Sequence, residues 1–89
     1  MKIYLSGETI RTKENFHKQI KEKLNLPEYY GNNLDALWDC LKGWVDMPVE
    51  IVWRNFKISE DSLGEYGKKI VDIFNSAEEE IDGFKVEYI

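Results

Sequence analysis

The chain has few of the residues that most catalytic and metal sites need. One cysteine and one histidine among 89 residues cannot form the His/Cys clusters that bind zinc. The single cysteine, Cys40, also has no partner for an internal disulfide, which favours a reducing compartment such as the cytoplasm. No glycine-rich phosphate loop and no GxSxG motif is present. We therefore expect no cofactor, no metal site and no enzymatic activity.

Long apolar runs are also missing. No run approaches the ~20 residues of a membrane-spanning helix, so we expect no membrane association. The apolar residues 1–5 are too few for a signal peptide, and we interpret them as part of the fold. With 43% hydrophobic and 33% charged residues, the composition is typical of a globular protein. We expect one domain over residues 1–89.

An excess of positive charge, which nucleic-acid binding requires, is absent too. The net charge is −5, and it is unevenly distributed. Residues 1–30 hold six Lys or Arg and four Asp or Glu, whereas residues 31–89 hold six and thirteen. Such an acidic surface argues against nucleic acid as a partner. It favours a cationic partner and speeds the encounter with it.

Hydrophobic spacing predicts an α/β fold. It indicates strands at residues 2–5, 49–54 and 84–89, and helices from the cap Thr12 to about Leu24, from residue 34 onward, and over about residues 65–81. Residues 55–63 fit either a short helix or an irregular connection. Strands separated by helices indicate a parallel sheet with right-handed crossovers. The nearly continuous β-branched run at residues 49–54 predicts the central strand.

The most informative stretch follows Pro27, which is expected to end the first helix. It contains an aromatic loop with a glycine, a side chain able to cap a helix, and then a short amphipathic helix. Four apolar residues have the spacing of a buried face: Leu34, Leu37, Leu41 and Val45. On the opposite face Asp35 and Asp39 lie one turn apart, and Gly43 continues that stripe.

The residues alone leave two interpretations of this acidic stripe open. It can be an ordinary solvated face, because Asp35 favours the helix dipole and Lys42 lies three residues after Asp39. It can instead be a binding face, because two tyrosines precede it and two tryptophans border it, as in protein interfaces. An acid–base pair or a cation site is disfavoured, because exposed carboxylates at this spacing are not desolvated and supply too few ligands.

Two further side chains receive structural interpretations. His17 lies beside the apolar stripe of the first helix, which favours a half-buried packing role over catalysis. Cys40 projects toward the leucine side of its helix, which favours a small buried apolar role over a reactive thiol.

Residues 26–41 with Gly43 and Trp44 resemble the signature of the barstar family, the intracellular inhibitors of secreted bacterial ribonucleases such as barnase. The resemblance covers essentially the whole chain. It continues through Ile10, Arg11, His17, Pro48, Trp53, Arg54, Phe74 and Ala77. It implies a barstar-like α/β fold with a three-stranded parallel sheet packed against helices. It also implies a cytoplasmic monomer that inhibits a barnase-like ribonuclease in a 1:1 complex.

The resemblance further implies which residues bind the enzyme. The acidic helix and the preceding loop would enter the cationic active-site cleft, with Asp39 in place of the substrate phosphate and Asp35 facing donors near the cleft. Surrounding contacts would come from Tyr29, Asn33, Trp38, Gly43, Trp44 and Glu80.

Some positions depart from the family pattern. Ser76 stands where the family carries a glutamate, Lys42 where it carries a neutral contact residue, and Asn32 where it carries an acid. Ser76 and Asn32 each remove a negative charge from the implied interface, and Lys42 adds a positive one. The departures favour a natural partner other than barnase itself, either another ribonuclease or, as the alternative, a different basic protein such as a contact-delivered toxin.

Overall fold

The computed structural model describes all 89 residues and contains three strands and four helices. In chain order these are β1 (Lys2–Ser6), α1 (Lys13–Leu24), α2 (Leu34–Gly43), β2 (Val49–Arg54), α3 (Phe56–Leu63), α4 (Glu65–Glu80) and β3 (Phe84–Tyr88). The predicted α/β class is confirmed. Residues 55–63, for which the sequence allowed either a short helix or an irregular connection, are largely helical. None of the four helices has the length and apolarity needed to cross a membrane.

The three strands form one parallel sheet in the order β1-β2-β3, so β2 is the central strand as predicted. Ile51 of β2 pairs with Ile3 of β1 and Val86 of β3. Each connection leads to the next strand on the same side, from β1 to β2 and from β2 to β3. Right-handed connections of this kind place the helices on one face of the sheet. Ile3 and Ile51 are accordingly buried, whereas Lys2 and Tyr4 alternate toward solvent.

Trp53, near the end of the central strand β2, packs at the middle of a cluster of aromatic rings beneath the helices. Its ring is fully buried and stacks on Phe16 of α1 with ring centroids 5.6 Å apart. Its indole Nε1 donates to the hydroxyl of Ser59, 3.1 Å away, and Ser59 in turn donates to the carbonyl of Ile10 at 2.7 Å. A buried indole N–H needs a hydrogen-bond acceptor. This explains why the polar residue Ser59 faces inward from α3.

Helix α1 begins after the predicted cap Thr12 and runs to Leu24 as predicted, but Asn25, and not Pro27, follows its last residue. Thr12 accepts a hydrogen bond from the backbone N–H of Asn15 at 3.0 Å, and the Asn15 side chain accepts one from the Thr12 backbone at 3.2 Å. Asn25 ends the helix in the left-handed conformation with φ 56°. The expectation of a half-buried His17 was wrong: the side chain is only 2% exposed. Both of its ring nitrogens meet tyrosine hydroxyls, which lowers the cost of burying it.

Helix α2 is shorter than its apolar spacing suggests. Leu37 and Leu41 are buried as expected, but the helix ends at Gly43 and Val45 lies beyond it. The Val45 N–H still reaches the Cys40 carbonyl at 2.9 Å, so the chain leaves the helix in a tight turn. Val45 is therefore only partly buried, and its assignment to the helix was wrong.

Candidate protein-binding site

The loop before α2, residues 29–33, is joined to the helix by Asn33. The Asn33 side chain accepts a hydrogen bond from the Ala36 N–H at 2.8 Å and donates one to the Gly31 carbonyl at 3.2 Å. An asparagine cap of this kind satisfies a donor that the first helical turn would otherwise leave free. Asn33 thus fixes the entry of α2, and its side chain remains exposed.

Asp35 and Asp39 lie one turn apart on the exposed face of α2, as the helical spacing predicts. Neither carboxylate has a lysine or arginine nitrogen within 4.0 Å. The four ion pairs of the chain all involve other acidic residues. Neither accepts a side-chain hydrogen bond from the chain either. Two carboxylates with free acceptor sites are therefore held on one rigid helix.

A groove between α2 and α4 extends this acidic face. It has a volume of about 450 Å³ and is called the acidic groove below. Its lining residues are Asp35, Trp38, Asp39, Ile73, Ser76 and Glu80. The structure thus brings Glu80 to the two aspartates, although it lies 41 positions after Asp39 in the chain. Three carboxylates and no cationic side chain line the groove, which suits a cationic group of a partner.

Ser76 and Ile73 of α4 form part of the groove wall. Ser76 is partly buried there, and Ile73 lines the same wall. Both residues lie at the boundary between the two faces of α4, where α2 packs against it. Sequence periodicity cannot show this boundary, because it depends on how the two helices cross.

Lys42 contacts an aromatic ring rather than the neighbouring carboxylate. Its Nζ lies 5.4 Å from the centroid of the Trp38 ring, and it forms no ion pair with Asp39. A lysine ammonium over a tryptophan face is attracted by the ring quadrupole. The acidic groove therefore has one positive charge at its border, held over Trp38.

Tyr29 and Trp44 form a second feature outside the groove, called the aromatic rim below. Their side chains are 78% and 49% exposed, and their rings meet edge to face with centroids 6.2 Å apart. The Trp44 indole donates to the Asn25 carbonyl at 3.0 Å, which ties the rim to the end of α1. That backbone acceptor has no side-chain signature, so the sequence could not reveal it.

Gly43 ends α2 without any internal need for glycine. A Cβ built at this position would meet no atom within 4 Å, and the backbone is not in the left-handed region. Glycine costs a helix about 1 kcal/mol relative to alanine. Nothing in the fold requires glycine at this position. Gly43 leaves bare backbone on the same side of α2 as Asp35 and Asp39.

The thiol and the imidazole near the site are both kept neutral. Burial, with a further contribution from the Asp39 charge, raises the pKa of Cys40 above its usual value, so the thiol stays protonated and unreactive. Burial and the Lys13 charge lower the pKa of His17 to about 4. No three His, Cys, Asp or Glu side chains come together as metal ligands.

A larger depression lies along α1 and the loop that follows it. It has a volume of about 720 Å³ and is called the α1 depression below. Three lysines and three glutamates line it: Lys13, Lys18, Lys21, Glu14, Glu22 and Glu28. None of the predicted contact residues does so. Its charges balance, and Lys21 lies 3.9 Å from Glu28.

Comparison with known proteins finds a family model and a relative that match the chain over nearly its whole length. The family model described as "Barstar (barnase inhibitor)" matches residues 1–89, the whole chain. The chain is also 45% identical over 86 residues to a Bacillus subtilis (strain 168) protein named "Putative ribonuclease inhibitor YrdF". That match spans 96% of this chain and 94% of the relative, so the likeness is not confined to one motif.

Proposed function

Because this chain belongs to the barstar family, a family of inhibitors and not of enzymes, we propose that it inhibits a barnase-like ribonuclease. The acidic groove and the aromatic rim would close over the active-site cleft of the enzyme. A ribonuclease must bind the phosphates of RNA, so its cleft is cationic. Carboxylates fixed on a helix would fill the places that the substrate phosphates take, which is inhibition by phosphate mimicry.

The observation that carries this proposal is the pair of free carboxylates of Asp35 and Asp39. Both are exposed, lie on one face of α2 and lack ion-pair partners in the chain. Their full charge is available to the enzyme, and a capped helix fixes their spacing before binding. Glu80 adds a third carboxylate from α4. Asp39 would pair with the cationic groups at the phosphate site, and Asp35 with donors beside it.

The surroundings of the carboxylates favour a protein partner. Tyr29 and Trp44 offer exposed aromatic surface at a fixed angle, and Trp38 lines the groove. Aromatic residues are enriched in the cores of protein interfaces. Gly43, which has no side chain, would let the backbone of the partner approach α2 closely. This would give a role to a glycine that is otherwise unfavourable in a helix. The exposed amide of Asn33 would add a polar contact at the edge.

The proposal includes the state in which the inhibitor acts. Asp35, Asp39 and Glu80 all line one groove, which favours a 1:1 complex formed by a monomer. Cys40 is a free, buried thiol, which is compatible with the reducing cytoplasm. An inhibitor stored there would protect the cell from an enzyme that it exports.

A second candidate is an immunity module for a different basic protein. Lys42, held over Trp38 at the border of the groove, favours a partner whose surface is not uniformly cationic. Such a partner would use the same carboxylates. The two candidates differ in the partner that these carboxylates bind, which is a ribonuclease in the first and another basic protein in the second.

The proposal is tested by titrating the purified protein against barnase and following RNA cleavage. We expect inhibition to saturate at one inhibitor per enzyme and to weaken far more in Asp39→Ala than in Ser76→Ala. Ser76 is the matched control, because it lines the same groove without a charge. Similar losses in the two variants would contradict phosphate mimicry. A folded wild type that neither binds nor inhibits barnase would favour the immunity module for a different basic protein.

A further inference from the structure

A buried hydrogen-bonded bridge connects three elements beneath the proposed binding surface. His17 of α1 lies between two tyrosines, with its Nδ1 2.6 Å from the Tyr30 hydroxyl and its Nε2 2.5 Å from the Tyr66 hydroxyl. The three rings also pack together, with centroids 5.7 Å and 5.9 Å from the imidazole. None of the three residues lines the acidic groove or belongs to the aromatic rim.

One arm of the bridge reaches the loop before α2. Tyr30 is 5% exposed and is the only buried residue in residues 29–33. Its neighbours in this loop include Tyr29 of the aromatic rim and Asn33, which caps α2. The hydroxyl of Tyr30 therefore anchors a loop whose other members are exposed.

The other arm reaches α4. Tyr66 lies in the first turn of this helix, which also carries Ile73, Ser76 and Glu80 in the wall of the acidic groove. His17 thus connects the loop to the first turn of the helix whose later turns line the groove. Its own helix carries no predicted contact residue.

We infer that His17 is a positioning residue that holds the loop before α2 and helix α4 in the geometry the partner recognises. The part of this inference that concerns recognition of the partner rests on the proposed function. The part that concerns the geometry of the free protein is independent of the proposed function.

The chemistry of imidazole explains why both tyrosines are needed. A neutral imidazole has one N–H donor and one acceptor nitrogen, and the hydrogen bond at one nitrogen fixes the role of the other. One tyrosine hydroxyl therefore donates to the ring and the other accepts from it, and the contact with Tyr66 holds the ring in the orientation that His17 presents to Tyr30. Without it, a ring nitrogen would be buried without a partner, and the ring would be free to turn. The loop would then lose its only buried anchor.

The test compares three variants of the full chain. Tyr66→Phe and His17→Gln weaken the bridge, and Tyr66→Phe keeps the ring that packs beside His17. Ser59→Ala is the matched control, because it also removes a buried hydroxyl, but one that is bonded to Trp53 and Ile10 and to no residue of the bridge or the loop. Urea unfolding measures the global stability of each variant.

Amide hydrogen exchange in the free protein gives the decisive readout. Two reporters are the N–H of Tyr30, bonded to the Pro27 carbonyl at 2.9 Å, and the N–H of Ala36, bonded to Asn33 at 2.8 Å. We expect Tyr66→Phe and His17→Gln to speed exchange at both by roughly tenfold, the effect of losing one buried hydrogen bond. We expect Ser59→Ala to lower stability without changing either reporter.

Binding to barnase, used as the probe, gives the second readout. The bridge variants should dissociate faster than the wild type by about the same factor, and Ser59→Ala should not. Unchanged reporters in Tyr66→Phe would overturn the inference, as would equal acceleration in Ser59→Ala. If His17→Gln does not fold, Tyr66→Phe decides the matter. If no form binds barnase, the proposed target is wrong, and the exchange result still decides whether His17 positions the loop.

Discussion

The α1 depression and the acidic groove differ in the way their charges are used. The α1 depression is larger, about 720 Å³ against 450 Å³, but its three lysines and three glutamates balance. Lys21 there lies 3.9 Å from Glu28 and also donates to the Glu28 carbonyl at 3.5 Å. The acidic groove is smaller, and its three carboxylates face no cation that lines it.

This difference in uncompensated charge, and not in size, is what favours the acidic groove as the proposed binding surface. A depression whose charges compensate one another offers little net attraction to a partner, because solvent screens the remaining field. The acidic groove holds like charges together on rigid helices, which is unfavourable for the isolated chain by a few tenths of a kcal/mol per pair. A cationic partner would remove that repulsion.

The largest expected effect comes from removing the charge of the acidic groove. The double variant Asp35→Asn, Asp39→Asn keeps the side-chain shape but should weaken ribonuclease inhibition roughly a thousandfold, since hydrogen bonds to charged groups contribute about 1.5–3 kcal/mol each. The measurement is the inhibition constant from RNA cleavage. The matched control is Glu22→Gln, Glu28→Gln in the α1 depression, which should leave inhibition unchanged. Equal losses would remove the distinction between the two surfaces.

A somewhat smaller effect, on the free energy of unfolding, is expected when the pH is lowered. It comes from the protonation of His17, which lines the α1 depression. Burial and Lys13 lower its pKa from 6.5 to about 4, and Glu14 opposes the shift slightly. The unfolded chain therefore binds the proton first as pH falls. The contribution of His17 to stability is fully present above pH 6.5 and is lost progressively toward pH 4, by about 3 kcal/mol in all.

Urea unfolding across this pH range measures the loss. The carboxylates titrate at the low end, so the useful quantity is the difference between wild type and His17→Gln. We expect the wild type to lose stability between pH 6.5 and 4.5 more steeply than His17→Gln. Parallel curves would show that His17 is not held neutral by the fold.

The smallest effect concerns the single cation at the border of the acidic groove. Lys42→Ala removes the charge 5.4 Å from the Trp38 ring, so it should lower the free energy of unfolding by about 0.5 kcal/mol. It should also tighten binding to barnase two- to fivefold, roughly the value of one exposed charge. Lys18→Ala in the α1 depression removes the same charge and serves as the control in a surface-plasmon binding assay. Weaker binding of Lys42→Ala would mean that the enzyme presents an acid to Lys42.

The sequence predicts those features that depend on local spacing. The position of Asp35, Asp39 and Gly43 on one face follows from helical periodicity alone, and β2 is central because its apolar run is continuous. The end of α2 was missed, because the apolar spacing runs past Gly43 to Val45, while the last backbone bonds of the helix stop short of it.

The features that depend on distant contacts could not be predicted in this way. The proximity of Glu80 to Asp39 and the partial burial of Ser76 result from the packing of α2 against α4. The deep burial of His17 needs hydroxyls 13 and 49 positions away in the chain. Glu80 was expected at the site only through the resemblance to a family, since no local pattern connects it to α2.

The most direct test of the central claim is amide hydrogen exchange of the whole chain with and without barnase. If the acidic groove and the aromatic rim form the interface, barnase should slow exchange at residues 29–44 and near residue 80, and leave residues 13–24 of the α1 depression unchanged. Protection centred on α1, with α2 exchanging as in the free protein, would contradict the account.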